Sequence, residues 1–323
     1  MQTPIKLSPT DKKLLAYLYQ NSREPATKIA KALHLSREQI SYRISKFEKE
    51  GIIKGYLPIV SYSHLGYHVL SLIFFKFKNL QSMQKFKEEQ KSSPSRINSL
   101  QLLTKYDLAV LYVFKDEKER NDYLSSLFEE HSNSIISYYI LEPYYSKFFP
   151  LKFLHLKTQS KIFHEYKRDS VKLDEKEIKI LKILNKNANS RIIDIAKQAS
   201  ISAELSVYKL KKLKESGVLI STRAYFDMKK IGFFYSLLLI SLPNFSKQNQ
   251  EKLKNFAKQN GNIDSLIFLL GNPNCYMQLF HKSIEEINET IISLNQTFKD
   301  DSISLEIIPI EGEGEDINLL PFL

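Results

Sequence analysis

Residues 29–51, IAKALHLSREQISYRISKFEKEG, and residues 195–217, IAKQASISAELSVYKLKKLKESG, are two versions of one segment, 166 positions apart. The offset holds without a gap from Leu7/Leu173 through Leu18/Leu184, Ala30/Ala196, Ser36/Ser202 and Tyr42/Tyr208 to Gly51/Gly217 and Gly66/Gly232. Chance similarity between amphipathic helices does not keep register over so long a stretch. The chain is therefore read as a tandem. At 323 residues each half is long enough to bury its own core.

Within the first version, Ile29, Ala30 and Leu33 give a short helix a buried stripe, and His34-Leu35 make a tight corner. Ser36 is placed to cap a second helix, on which Ile40, Ile44 and Phe47 repeat at i, i+4 and i+7. The opposite face carries Glu38, Tyr42, Ser45, Lys46 and Lys49, flanked by Gln39, Ser41 and Arg43. Gly51 ends the helix where a left-handed residue is needed. The pattern is a helix-turn-helix with a polar, net-basic outer face.

The charge follows this motif. Residues 1–80 hold thirteen basic against five acidic side chains, and 171–244 fourteen against seven. Residues 81–170 are nearly balanced, fourteen against twelve, and 245–323 are acidic, six against twelve. A uniform lysine bias would not leave the last block acidic, so the distribution fits a polyanionic partner. The longest apolar run, Val69 to Phe75, is too short to cross a bilayer, and the first residues have no signal-peptide core. The single cysteine, Cys275, rules out an internal disulfide and a cysteine-based zinc site, which suits a reducing, cytoplasmic compartment.

Read in order, Thr10 is the expected cap of a helix from Asp11 to Gln20, and Pro25 opens the next. After Gly51, residues Ile52 to Leu57 form a small wing that Pro58 ends. From Tyr67 the period shortens. Strands at Tyr67–Lys78, Ile97–Thr104, Leu108–Phe114 and Ile135–Leu141 alternate with helices at Ser82–Gln90 and Glu117–Glu130, a ferredoxin-like β-α-β-β-α-β order. The second copy gives helices at Glu177–Lys186 and Ile192–Ala199, a recognition helix and a wing at Val218–Phe226. It then repeats the ferredoxin-like order from Phe233 to Ile310. The expected domains are a winged helix-turn-helix at 1–62, a ferredoxin-like domain at 63–142 and a connector at 143–172. A second winged helix-turn-helix at 173–228, a second ferredoxin-like domain at 229–311 and an acidic tail at 312–323 complete the chain. In the tail, Leu319, Leu320 and Phe322 are the side chains able to dock. The fold class is α+β, arranged as an intrachain pseudo-dimer.

The Leu35-Ser36…Tyr42-Arg43-Ile44…Gly51-Ile52-Ile53 cadence, with Leu65-Gly66-Tyr67 leading into the first strand, resembles the Lrp/AsnC (feast/famine) transcription regulators. In that family single-copy chains dimerise through their ferredoxin-like (RAM) domains and hold two DNA-reading heads. The resemblance implies a DNA-binding, non-enzymatic regulator that needs no cofactor. It implies double-stranded DNA contacts at Ser36, Arg37, Glu38, Gln39, Ser41, Tyr42, Arg43, Ser45, Lys46 and Lys54. In the second copy they fall on Ser202, Glu204, Tyr208, Lys209, Lys211, Lys212 and Arg223. It also implies an amino-acid effector at a Gly-x-Tyr-Asp loop. Here that loop survives in part as Thr104, Tyr106 and Asp107 in one copy and Gly271, Asn272 and Asn274 in the other, which serve equally as hairpin turns. Further homo-oligomerisation through the ferredoxin-like domains is left open.

Where the first recognition helix has Arg37, Glu38, Gln39, Ile40 and Ser41, the second has Ala203, Glu204, Leu205, Ser206 and Val207. Base readout by hydrogen bonding needs donors and acceptors at that turn. The expectation is that copy one reads sequence while Lys209, Lys211, Lys212 and Tyr208 of copy two clamp phosphates.

Other chemistry finds little support. His64 and His68 have the i, i+4 spacing of a metal pair, but Gly66 interrupts the helix and no third ligand is near. No phosphate-binding glycine loop is present. The siroheme decarboxylases resemble the same two-domain architecture, in paired or fused copies. Where their porphyrin pocket is flanked by histidine and arginine, this chain offers Asn98, Ser99 and Gln101, and Asp264 and Ser265. A non-specific architectural DNA binder is the third reading.

Overall fold

The computed structural model describes residues 4–149, 152–154, 161–165, 169–311 and 317–323. The first half runs α1 (Pro9–Gln20), α2 (Ala26–Leu33), α3 (Arg37–Lys49), β1 (Ile53–Val60), β2 (Val69–Phe77), α4 (Leu80–Gln90), β3 (Arg96–Gln101), β4 (Leu108–Phe114), α5 (Glu117–Glu130) and β5 (Ile135–Phe148). A 3₁₀ turn (Lys152–Leu154) and β6 (Lys161–Glu165) follow. The second half runs α6 (Glu175–Lys186), α7 (Ile192–Ala199), α8 (Ala203–Glu215), β7 (Leu219–Phe226), a 3₁₀ turn (Lys229–Ile231), β8 (Phe234–Ser241), α9 (Lys247–Gln259), β9 (Ile263–Leu270), β10 (Cys275–His281), α10 (Ile284–Thr297) and β11 (Ser304–Ile310).

These elements sort into two compact units that do not follow the halves of the sequence. One unit gathers residues 1–66, 168–232 and 322–323, so it contains both helix-turn-helix segments. The other gathers 67–167 and 233–321, with both ferredoxin-like segments.

In the second unit each half shows the ferredoxin-like strand order, β5-β2-β4-β3 and β11-β8-β10-β9, and β5 pairs with β9 to join them. The connector expected from Pro143 is therefore, in its first part, strand. β5 runs on through Phe148, its early residues paired with β2 and its later ones with β9. The register shifts between Pro143 and Tyr145, an irregularity of the kind that accommodates a residue without an N–H. Residues 150–151, 155–160 and 166–168 of the remaining connector, and residues 312–316 of the tail, lie outside the described residues.

Alternating apolar residues split each sheet into two faces. One face packs on helices: Ile73, Phe75 and Val110 meet Met83, Phe86 and Leu124, and Leu238, Phe268 and Met277 meet Leu253, Phe256 and Leu294. The other faces share a third core, in which Leu72, Phe74, Ala109 and Leu141 pack with Leu237, Leu239, Ile267 and Ile308. Leu320 is buried and the Asn318 amide donates to the Ile97 carbonyl (2.9 Å), so this part of the tail is docked.

Candidate nucleic-acid interface

Each head is built by its caps. In α1 the cap is Ser8, not Thr10. Its hydroxyl accepts from the Asp11 amide (3.1 Å), the Asp11 carboxylate accepts from the Ser8 amide (3.0 Å), and Pro9 occupies the first turn. Asp174 and Glu177 reproduce this box at the start of α6. At α3, Ser36 accepts from the Gln39 amide (3.1 Å) and Gln39 Oε1 accepts from the Ser36 amide (3.0 Å). At α8, Ser202 accepts from the Leu205 amide (3.1 Å), and Leu205 has no oxygen to complete the box. The corners before both helices use left-handed His34 (φ +55°) and Ser200 (φ +56°), and both helices stop at left-handed Gly51 and Gly217.

The expected wing is a single strand, and it pairs with the other copy. β1 continues through Pro58 to Val60 and runs antiparallel to β7. Both strands of a two-stranded ribbon are edges, where proline is tolerated. The ribbon has a pseudo-twofold centre at Leu57 opposite Arg223, two residues that are equivalent by the 166-position offset. Hydrogen bonds repeat about that centre. Ser22 N to Thr222 O (2.9 Å) answers Ala188 N to Tyr56 O (3.0 Å), and Ser61 N to Val218 O (3.0 Å) answers Asp227 N to Ile52 O (2.8 Å). Ile5 N to Lys230 O (2.7 Å) answers Val171 N to His64 O (2.8 Å). The Lys230 ammonium crosses to the end of α3, donating to the Glu50 carbonyl (2.7 Å), where a cation complements the helix dipole. His64, the equivalent residue, lies beside Gly217 at the end of α8. Phe322 packs edge-on against Tyr62.

The outer faces carry most of the residues picked from sequence. Ser36, Arg37, Glu38, Gln39, Ser41, Tyr42, Ser45 and Lys46 are exposed on the first head, Tyr42 by 71%. On the second head Ser202, Glu204, Tyr208, Lys211 and Lys212 are exposed. Lys54 is exposed in the wing, 3.8 Å from Asp227.

Three residues serve the scaffold instead. Arg43 is half-buried and bonds Asp11 (2.5 Å). Its equivalent, Lys209, is buried and pairs with Asp174 and Glu177. Glu177 also holds Lys212 (2.7 Å) and is itself only 1% exposed. Burial raises the Glu177 carboxyl, but hydrogen bonds from Lys212, the Asp174 amide and Lys209 outweigh it and hold it below its ordinary value. Arg223 lies with its guanidinium 4.4 Å over the Tyr19 ring and donates to the Tyr19 hydroxyl (3.1 Å), so it locks the wing ribbon to α1. The phosphate clamp expected of the second head thus loses Lys209, and Lys212 is tethered. Ile193, apolar yet 72% exposed, was not singled out from the sequence, although its alignment with Thr27 by the offset was an available signal; Val207, 52% exposed, was read there only as lacking hydrogen-bonding groups.

The two loops read as effector sites are engaged in their own unit. Asp107 accepts from Lys76 Nζ (2.7 Å) and the Phe77 amide (2.8 Å). Asn274 bonds both the amide and the carbonyl of Leu242. Tyr139 stacks on Tyr106 and its hydroxyl donates to the Asn272 carbonyl, which brings the loops together. Gly271 is left-handed (φ +94°), and Thr104 is half-buried. Asp107 and Asn274 therefore act as hairpin braces. Of the histidines, His131 stacks edge-on against Phe86 and His281 is buried beside the Ser236 hydroxyl (2.9 Å). Among the described residues no three potential metal ligands come together, and no helix is long and apolar enough to cross a membrane.

Charge separates the units. The helix-turn-helix unit holds twenty-six basic and thirteen acidic residues, a net of +13, while the ferredoxin-like unit holds twenty-one and twenty-three, a net of −2.

Residues 7–54 match the family model described as winged helix-turn-helix DNA-binding. An uncharacterised HTH-type transcriptional regulator of Pyrococcus abyssi is 27% identical over 124 residues, 38% of this chain and 82% of that protein. The regulatory protein AsnC of Haemophilus influenzae is 23% identical over 123 residues, 37% of this chain and 79% of its own length. The chain is an Lrp/AsnC homologue. Each of these Lrp/AsnC-type relatives covers well under half of it. Over its whole length the fold is similar to that of the siroheme decarboxylase NirDL, solved with an iron-uroporphyrin III analogue (TM-score 0.65, 18% identity, 97% of this chain and 95% of that one).

Proposed function

We propose that the chain is a sequence-specific regulator of transcription that binds double-stranded DNA as an intrachain pseudo-dimer, with α3 and α8 entering major grooves. The observation that carries this reading is the +13 net charge of the unit that presents both recognition helices, beside a ferredoxin-like unit of −2. Docking begins with phosphate contacts and counterion release, and bases are then read from the helix faces. The β1–β7 ribbon ties the heads within one unit, so half-site separation is a fixed number of helical turns. The halves need not be palindromic, because the two faces differ.

Selection of bound sites from random DNA at two salt concentrations tests this. With about six phosphate contacts, affinity falls by about a thousandfold between 50 and 200 mM salt. An enriched bipartite motif is the expected result. Equal affinity for selected and random DNA would leave only an architectural binder.

The whole-chain likeness to NirDL favours a second reading, a tetrapyrrole enzyme. Against it, Asp264 and Ser265 are buried, and the Ser265 hydroxyl bonds Gln278 (2.5 Å), so neither lines an open pocket. A Soret-region shift on adding an iron-uroporphyrin to the full chain, with no DNA binding at low salt, would move the assignment to the enzyme.

A further inference from the structure

The outward face of α3 is Glu38, Ser41, Tyr42 and Ser45, with Arg37 at its leading end. The equivalent face of α8 is Glu204, Val207, Tyr208 and Lys211, with Ala203 at its leading end. Both faces follow i, i+3, i+4, i+7 spacing, and both helices start from the same serine cap. The backbone is thus repeated while the chemistry is exchanged. Val207 is 52% exposed and Tyr208 59%, and Ile193, on the first turn of α7 where the first head has Thr27, is 72% exposed. Exposed lysines follow one helical turn on, Lys197 at i+4 from Ile193 and Lys211 at i+4 from Val207.

Val207 and Tyr208 are neighbours on the outward face of α8, and exposed apolar surface rimmed by polar residues marks an interaction site. The adjacent positive charge and the shared position with the polar face of α3 select a polyanion as the occupant. In the major groove of B-DNA the one apolar group on a base edge is the thymine 5-methyl.

We propose that the second head reads thymine 5-methyl groups, Val207 making the contact with Tyr208 and Ile193 excluding water around it, while the first head reads hydrogen-bonding edges through Arg37, Ser41 and Ser45. Glu38 and Glu204 are common to both faces and suit the amino group of cytosine. The second head is therefore a reader as well as a source of phosphate contacts, with Lys209 committed to Asp174 and Glu177 and Lys212 held by Glu177, while Lys211 stays exposed. This inference rests on the reading of the unit as DNA-binding, and deepens it.

The test uses the full chain and a site selected from random DNA, resynthesised with deoxyuridine for thymidine in one half-site at a time. Uracil keeps every hydrogen-bonding group and loses only the methyl. The expected result is a weakening of about fourfold per contacted thymine in one half-site, the worth of one buried methyl group. Less than twofold is expected in the other. The substitution Val207→Ser abolishes the difference, and Ser41→Val, in the other head, creates methyl dependence in the second half-site. Tight binding with no dependence on the methyl in either half overturns the inference. So does methyl dependence that survives V207S, and so does V207S binding every site with unchanged affinity, which would assign the patch to a protein partner. Failure to bind any DNA removes the reading beneath it, and is distinct from these outcomes.

Discussion

The two heads share a skeleton and differ in its surroundings. Head one ends α3 at Gly51 with the Lys230 ammonium delivered from the other copy, whereas head two ends α8 at Gly217 with the His64 ring nearby. Head one joins α1 to α3 through a single Arg43–Asp11 pair, whereas head two sinks Glu177 between Lys209 and Lys212. Head one closes its capping box and head two leaves it open. Identical backbones thus rest on different local supports.

The largest expected effect that would sharpen this contrast is at the helix ends. Gly51→Ala combines a left-handed φ of +67° with a Cβ 2.5 Å from Lys230 Nζ, which displaces that ammonium from the Glu50 carbonyl. A loss of about 2–3 kcal/mol follows, against about 1–2 kcal/mol for Gly217→Ala, whose nearest neighbour is His64 at 3.4 Å. Thermal melts of the two variants compare them directly, and equal losses would break the asymmetry.

Next come the internal acids. Glu177→Gln leaves two lysines without their buried partner and costs about 1–2 kcal/mol, and Asp11→Asn, in a more exposed pair, costs about half as much. Urea midpoints give the ranking. Both carboxyls sit below their ordinary values: at Asp11 burial acts upward, but the Ser8 hydroxyl and amide and the Arg43 guanidinium prevail. Their contribution is therefore present above the unfolded carboxyl pKa of about 4 and lost as pH falls through the lower folded value. The melting difference between the parent chain and each variant should shrink between pH 6 and pH 3. A constant difference would show that the acids contribute through packing alone.

The smallest effect is at the open box. Leu205→Gln restores the oxygen that Gln39 supplies in head one and should gain about 0.5 kcal/mol. No gain would mean that the α8 amide at Ser202 is already well served.

Much of the fold was legible because it rests on periodicity. β4 and α5 fall at their expected residues, and left-handed Gly51 and Gly217 stand where the helices had to stop. Boundaries that depend on a partner were not legible. Pro58 reads as a terminator until β7 lies beside it, and Pro143 reads as a linker until β9 does. The α1 cap moved from Thr10 to Ser8 because the decisive oxygen is that of Asp11, which reaches back. At the candidate interface, charge and exposure were predictable from helical spacing. The loss of Arg43, Lys209 and Arg223 was not, since it depends on Asp11, Glu177 and Tyr19 from other helices. The apolar face of α8 was visible in sequence only as missing donors. Its exposure is what turns an absence into a possible contact surface.

At the midpoint of the wing ribbon Leu57 faces Arg223. A symmetric dimer must place one residue type twice on its own axis. Two copies of the second half would bring two guanidiniums head to head there, while two copies of the first would leave Tyr19 without the cation it holds. By this contact the ribbon's midpoint favours one copy of each half over two copies of either.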